Sequence, residues 1–248
     1  MFKRIVSAAV GRLGYTIVPK WRINAYPGTQ HLTRLFDLLA IDLVIDVGAN
    51  IGQFRDSLRE QCGFKGPIVS FEPVPHLARS LAERAGADPL WTVYNQALGR
   101  KSGSAEFKVM NDTQFSSFLA PRHDDVGLFT DFNVVRERVM VEITTLDAVL
   151  PELIARHTPD AIYVKMDTQG FDLEVLKGGA ASLVNLAAFQ IEASVRPIYD
   201  NAPEYREIVD YAIDRGFFIS GFFSNNEGHF PQLIEFDCVM VHARHSPK

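Results

Sequence analysis

Short apolar runs recur along most of the 248-residue chain, each set off by a loop or by a segment with helical spacing. They are LVIDV (43–47), IVSFE (68–72), WTVYN (91–95), IYVKMD (162–167), AAFQIEA (187–193) and FFISGFF (217–223). Alternation of such runs with helical segments predicts an α/β fold built on a doubly wound, mostly parallel sheet. A last run, LIEFDCVMVHA (233–243), follows the turn-rich SNNEGHFP too closely for a crossover helix, which predicts a final antiparallel strand. Ahead of the first strand, TRLFDLLA (33–40) has helical spacing, while residues 19–30, with Pro19, Pro27 and Gly28, predict a linker. The pattern breaks between NQALG and IYVKMD. There SAEFKVM and MVEITTL predict short strands around a polar and aromatic loop at 111–138, an insertion or lid over one edge of the sheet. The division expected is an arm, residues 1–36, and one domain, residues 37–248.

Charge and composition narrow the functions. With a net charge of −5 and a pI near 5.8, the chain lacks the basic footprint of a nucleic-acid binder. Residues 1–36 carry six Lys/Arg and no acid, which leaves −11 on the rest. Within the arm Phe2, Ile5, Val6, Ala9, Val10 and Leu13 share a helical face opposite Lys3, Arg4 and Arg12. Such a helix either packs on the acidic domain or makes peripheral contact with an anionic membrane through residues 1–13. It has no convincing small-x-small cleavage site, and no apolar run of 18 residues exists to span a bilayer. Cys62 and Cys238 are the only cysteines, with no C-x-x-C spacing, so neither a disulfide framework nor a zinc site is expected. A reducing, cytoplasmic setting, with membrane association through the arm as an option, is the expectation.

The first strand ends in VIDVGANIGQF (44–54), an acid followed by two glycines four apart, where an open α/β sheet binds its ligands. Gly48 is expected to let the backbone approach a flat ligand and Gly52 to let the next helix pack closely. Asp46 suits a cationic amine, and the helix start at 52–54 suits a carboxylate. Glu72 ends the second strand, 26 residues after Asp46, where a carboxylate accepts both ribose hydroxyls of an adenosine ligand. The G-x-G-x-x-G of a dinucleotide site is absent. S-adenosylmethionine, with no pyrophosphate to cradle, therefore ranks above NAD.

Taken together, VIDVGANIGQF, IVSFEPVPHLARSLAERA, NQALG, TTLDAVL, YVKMDTQGFDLEVLKGG and QIEASVRPIYD resemble the FkbM family of S-adenosylmethionine-dependent methyltransferases over about residues 40–243. The resemblance implies a class I methyltransferase (Rossmann-like) fold and methyl transfer to oxygen, commonly on sugars, glycolipids or polyketides. It also implies cofactor contacts from Asp46, Gly48, Asn50, Gly52 and Glu72, with Gln96 and Ala97 bordering the adenine. One departure stands out: many members read D-x-E-G-x-E where this chain reads DTQGFD. Gln169 thus replaces a glutamate, and an amide cannot serve as a base, so Gln169 is kept on the substrate side.

Loss of a hydroxyl proton calls for a positioned carboxylate, histidine or metal. Asp167, at the end of the fourth parallel strand, is the first candidate and Glu192, in the next strand, the second. No spacing demands a metal, and His123 and His229 sit in loops. In NDTQFSSFLAPRHDDVGLFTDF (111–132), Ser116 and Ser117 are acceptor-side candidates, and Phe115, Phe118, Phe129 and Phe132 either face a carbohydrate or fill a small core of their own. Tyr199 and Arg196 either line the pocket or tie a loop down. The function expected is an O-methyltransferase acting on a hydroxyl of a glycan, glycolipid or related metabolite. The rivals are an NAD-linked oxidoreductase and a non-catalytic S-adenosylmethionine-binding protein of a glycan-assembly complex.

Overall fold

A computed structural model describes residues 14–123, 127–224 and 231–245. The amphipathic segment 1–13 and His229 lie outside the described residues. Seven strands form the main sheet: β1 (Leu43–Val47), β2 (Ile68–Phe71), β3 (Trp91–Tyr94), β7 (Ile162–Met166), β8 (Leu186–Ser194), β9 (Phe217–Ser224) and β10 (Glu235–His242). Their spatial order is β3-β2-β1-β7-β8-β10-β9, with β10 antiparallel to both neighbours and the other pairings parallel. Chain order reverses between β1 and β7, and a ligand cleft belongs outside that point. The expected class I architecture, final antiparallel strand included, is what the chain forms.

Every residue of β1, β2 and β7 is buried, because helices cover both faces of the sheet. On one face Leu43, Ile45 and Val47 pack against α4 (Leu146–His157), α5 (Asp172–Gly178) and α6 (Tyr205–Ile213). On the other, Val44 and Tyr163 pack against α1 (Ala25–Leu39), α2 (Gln53–Ser57) and α3 (Pro75–Ala85). Asp46 and Lys165, two positions further along their strands, share this second face by the period of two. Helix α2 is short and runs on through a π-helical turn, Leu58–Cys62, which Gly63 closes at φ +72°.

The structure corrects two boundaries. Residues 19–30 are no linker: a 3₁₀ turn (Lys20–Arg22) leads straight into α1. Pro27 falls in the first turn of α1, where backbone N–H groups have no helical partner to lose, and the bare Cα of Gly28 faces the Phe223 ring. Helix α1 therefore crosses the expected domain boundary at 36, burying Leu32, Leu35, Phe36 and Leu39 in the core. The second correction concerns the insertion. Strands β4 (Ala97–Leu98), β5 (Gly103–Met110) and β6 (Val135–Thr144) make a separate three-stranded sheet, in which β6 reaches back to residue 135. Its Phe107, Val109 and Val141 pack on Val74 and Ala97, so the segment lies across the carboxyl ends of the main strands.

The small sheet is joined to the large one by backbone contact at Gly178, the last residue of α5, where an added Cβ would lie 1.9 Å from the Gly99 carbonyl oxygen. Gly178→Ala is expected to cost about 1–3 kcal/mol through overpacking. At Gly63 nothing stands within 4 Å of an added Cβ, so Gly63→Ala should cost only the left-handed backbone penalty, about 1–2 kcal/mol. Urea unfolding of the two variants measures both, and the Gly178 variant alone should also disturb the 97–110 segment in hydrogen exchange.

Candidate active site

A cavity of about 690 Å³ opens at the carboxyl ends of β1, β2, β7 and β8, beneath the 111–118 segment. Its near wall is the turn after β1. Gly48 has φ +80°, and a Cβ there would lie 2.1 Å from the Asp167 carbonyl oxygen. Its smallness serves a close approach between two strand ends; the expected approach to a flat ligand is not what requires it. Gly52, at φ +89°, abuts Leu81, Arg84 and Trp91, which is the close packing expected of it. Asn50 also has positive φ, +47°, and its amide N–H donates to Glu72 Oε2 at 2.7 Å. The Val74 N–H donates to Oε1 at 2.8 Å. Each oxygen of Glu72 thus holds one backbone donor and keeps a lone pair, and the side chain lines the cavity. Burial pushes the Glu72 carboxyl up to about 7, with the two N–H donors opposing and Asp46 adding to the rise.

Asp46 is placed differently from expectation. It is wholly buried beneath the turn and does not line the cavity. Its Oδ1 lies 3.6 Å from Lys165 Nζ, and Ser70 Oγ, itself an acceptor from Trp91 Nε1, donates to Oδ2 at 3.4 Å. Lys165 reaches Asp167 Oδ2 at 3.2 Å and the Gly48 carbonyl at 3.5 Å. Burial works against the lysine charge, but Asp167 and Asp46 outweigh it and raise its pKa. A donor's amine meets this site through Asp167 and the turn, not through Asp46.

The far wall carries the two expected catalytic carboxylates. Gln169, in the left-handed region at φ +53°, donates from Nε2 to Asp167 Oδ1 at 3.0 Å and to Glu192 Oε2. The Tyr199 hydroxyl lies 2.7 Å from both Gln169 Oε1 and the Phe115 carbonyl. A hydroxyl pointing at Oε1 turns the amide NH₂ toward the two acids. Gln169 is therefore a bridge between carboxylates. Burial, then the charges of Asp167, Glu235 and Asp237, hold the Glu192 carboxyl well above the usual range.

The remaining expected residues divide. Ala97 and Ser116 line the cavity; Gln96, Ser117 and Tyr199 do not. Ser117 is fully buried, donating to the Gln169 carbonyl at 2.8 Å, and Tyr199 is spent on Gln169. Both support the wall from behind. Ser116 Oγ accepts from the Met110 N–H. The phenylalanines do both things weighed for them. Phe115, Phe118, Phe129 and Phe132 line the cavity, while Phe115 packs on Phe129 with ring centres 5.2 Å apart. Thr113 Oγ1 donates to Asn50 Oδ1 at 2.8 Å, tying this roof to the glycine turn. Among the described residues no three of His, Cys, Asp and Glu converge to hold a metal ion.

Residues not anticipated complete the wall: Gln190 on β8, and Glu235 and Asp237 on β10. The sequence held a signal for them. Polar residues two apart in otherwise apolar strands, Gln190 with Glu192 and Glu235 with Asp237, must share one face.

The sheet order, with an acid-clasped turn at the reversal point, defines a class I S-adenosylmethionine-dependent methyltransferase. Residues 46–219 match the methyltransferase FkbM domain, and the chain belongs to that family. It is 30% identical over 182 residues to the hexuronic acid methyltransferase AglP of Haloferax volcanii, covering 71% of this chain and 68% of that protein. It also superposes on the crystal structure of methyltransferase FkbM from Methylobacillus flagellatus KT with a TM-score of 0.51 and 16% identity. That likeness, of fold alone, covers 82% of this chain and 44% of the other.

Burial lifts Glu72, Glu235 and Asp172 each to about 7, from ordinary values of 4.5, 4.5 and 3.8. Below pH 4 the folded and unfolded chains are both protonated at these groups. Between about 4.5 and 7 only the folded chain keeps the protons, so stability falls as pH rises through that window. Urea midpoints of the ligand-free protein should accordingly be lower at pH 7.5 than at pH 5. The difference should shrink in Glu235→Gln.

Proposed function

We propose that the protein transfers a methyl group from S-adenosylmethionine to a hydroxyl of a glycan, glycolipid or related hydroxylated metabolite. One observation carries this reading: a single cavity joins a ribose-ready carboxylate, Glu72, to the bridged pair Asp167 and Glu192. The donor set fits the cofactor. Glu72 has a lone pair free on each oxygen for the ribose diol, and Ala97, Leu98 and Phe71 supply an apolar rest for the base. When bound, S-adenosylmethionine supplies an electrophilic methyl on a positively charged sulphur. The name of the relative AglP, a hexuronic acid methyltransferase, supports a sugar as acceptor.

The chain's own residues orient the acceptor and receive its proton. The Phe115–Phe132 wall stacks against the apolar face of a sugar ring, and the polar wall opposite engages its hydroxyls. As the new oxygen–methyl bond forms and the sulphur–methyl bond breaks, the hydroxyl proton passes to Glu192. Its raised proton affinity makes it the stronger base once ionised. Asp167, paired with Lys165, keeps a negative charge beside the sulfonium. Gln169 holds the two carboxylates in register, which favours a catalytic site over a non-catalytic binder. Nothing in the turn offers a dinucleotide a row of amides, so an NAD-linked reaction has no support in the geometry.

Glu72→Gln should weaken S-adenosylmethionine binding by about 10- to 100-fold in calorimetry, the worth of hydrogen bonds to a charged group. Unchanged affinity would remove the cofactor assignment. Labelled-methyl transfer to glycan and glycolipid extracts should give a product whose mass rises by one methyl on oxygen. With that acceptor, Glu192→Gln should cut kcat by about 10²- to 10⁴-fold while leaving donor binding unchanged. It should also abolish the acid limb of the kcat/KM profile, which lies above the ordinary glutamate range in the parent protein.

A further inference from the structure

Beyond Glu192 the cavity wall continues in a direction that methyl transfer itself does not require. On β8 the alternate residues Gln190, Glu192 and Ser194 share one face, and across the antiparallel pairing they meet Val239, Asp237 and Glu235. Strand β10 stands four strand spacings from β2, about 19 Å. These groups are therefore at the opposite end of the cavity from Glu72 and beyond the donor's ribose.

Two of them are buried yet incompletely satisfied. Gln190 is 7% exposed and lines the cavity. Its Oε1 accepts from the Tyr163 hydroxyl at 3.1 Å, which turns the NH₂ away from the tyrosine. Among the described residues that NH₂ has no hydrogen-bond partner. Glu235 is 5% exposed, also lines the cavity, and has only a 3.5 Å contact from Ser194 Oγ. Buried groups left this way cost free energy until a ligand meets them. Together they present one free amide donor and several carboxylate acceptors, a pattern suited to ring hydroxyls.

The charge balance is equally specific. Lysine and arginine appear once among the described residues lining the cavity, as Lys165, and its ammonium already faces Asp46 and Asp167. No cation is left over for an anionic substituent on the acceptor. Glu235 and Asp237 would face any such group with like charge or an undonatable proton.

We propose that Gln190, Glu235 and Asp237 form an acceptor subsite that takes a polyol without an acid group, holds an amino-substituted ring most tightly, and rejects uronates. The proposal rests on the reading of this cavity as the methyl-transfer site. It separates this chain from AglP, whose name specifies a hexuronic acid.

The test is binding of the full chain, loaded with S-adenosylhomocysteine, to an array of neutral, amino-bearing and uronate-bearing oligosaccharides. Amino and neutral glycans should bind, amino ones best, with matched uronates weaker by roughly tenfold or more, as expected for one like-charge contact in a partly solvated site. Glu235→Gln and Asp237→Asn, checked for fold by unchanged S-adenosylhomocysteine affinity, should each narrow that ratio, and Gln190→Leu should weaken neutral glycans. Uronates binding as well as neutral glycans would overturn the proposal. So would binding of no glycan at all by a protein that still binds S-adenosylmethionine, an outcome that leaves the methyltransferase assignment standing. Loss of S-adenosylmethionine binding by the parent protein would instead strike the functional reading beneath it.

Discussion

Lys165 sits between Asp46 and Asp167 with its ammonium 3.6 and 3.2 Å from their carboxylates and 3.5 Å from the Gly48 carbonyl. Three charges are thereby held at the end of a sheet whose strands are otherwise apolar. The desolvation cost of such a group is large, and replacement by hydrophobic residues often stabilises a protein. Its retention is better explained by position than by stability. The lysine draws the ends of β1 and β7 together until only a glycine fits at 48, and that contact sets the geometry of the turn carrying Asn50. Asn50 in turn fixes Glu72 and, through Thr113, the roof.

From that contact the cavity unfolds as two halves with different electrostatics. The Glu72 half is a carboxylate held by backbone donors, suited to a diol. The other half is a wall of acids in which protons and amides substitute for cations: Gln169 bridges two carboxylates, and burial raises Glu192 and Glu235. A glutamate at 169 would face Asp167 and Glu192 with a third negative charge. The amide avoids this repulsion and orders both acids at once, so the departure from the family's usual residue has a clear physical role in this chain. The acids also suit a cationic donor, since field lines in a low-dielectric cleft concentrate the charge the sulfonium would meet.

Much of this could be read along the chain. The strand runs and the final antiparallel strand follow from period and loop length. The pairing of Glu72 with the glycine turn follows from the register of strand ends in a parallel sheet. The carboxylates at 167 and 192 follow from their place at successive strand ends. Proline and glycine misled at 19–30, because their meaning depends on whether they fall in a first helical turn, which local composition does not reveal. Asp46 misled as well: a strand-end acid looks alike whether it faces a ligand or a buried lysine 119 positions away.

What the sequence determined by itself was therefore the class of fold, the place of the cleft and the type of donor. These depend on periodicity and on residues near one another in the chain. Only the tertiary structure decided which polar side chains face the cavity and which stand behind it. Tyr199 and Ser117 proved to be supports, Gln169 a bridge, and Gln190, Glu235 and Asp237 a wall. Each of those roles rests on a contact between strands or loops remote in sequence, where pairing register and burial, invisible to any local pattern, set the partner.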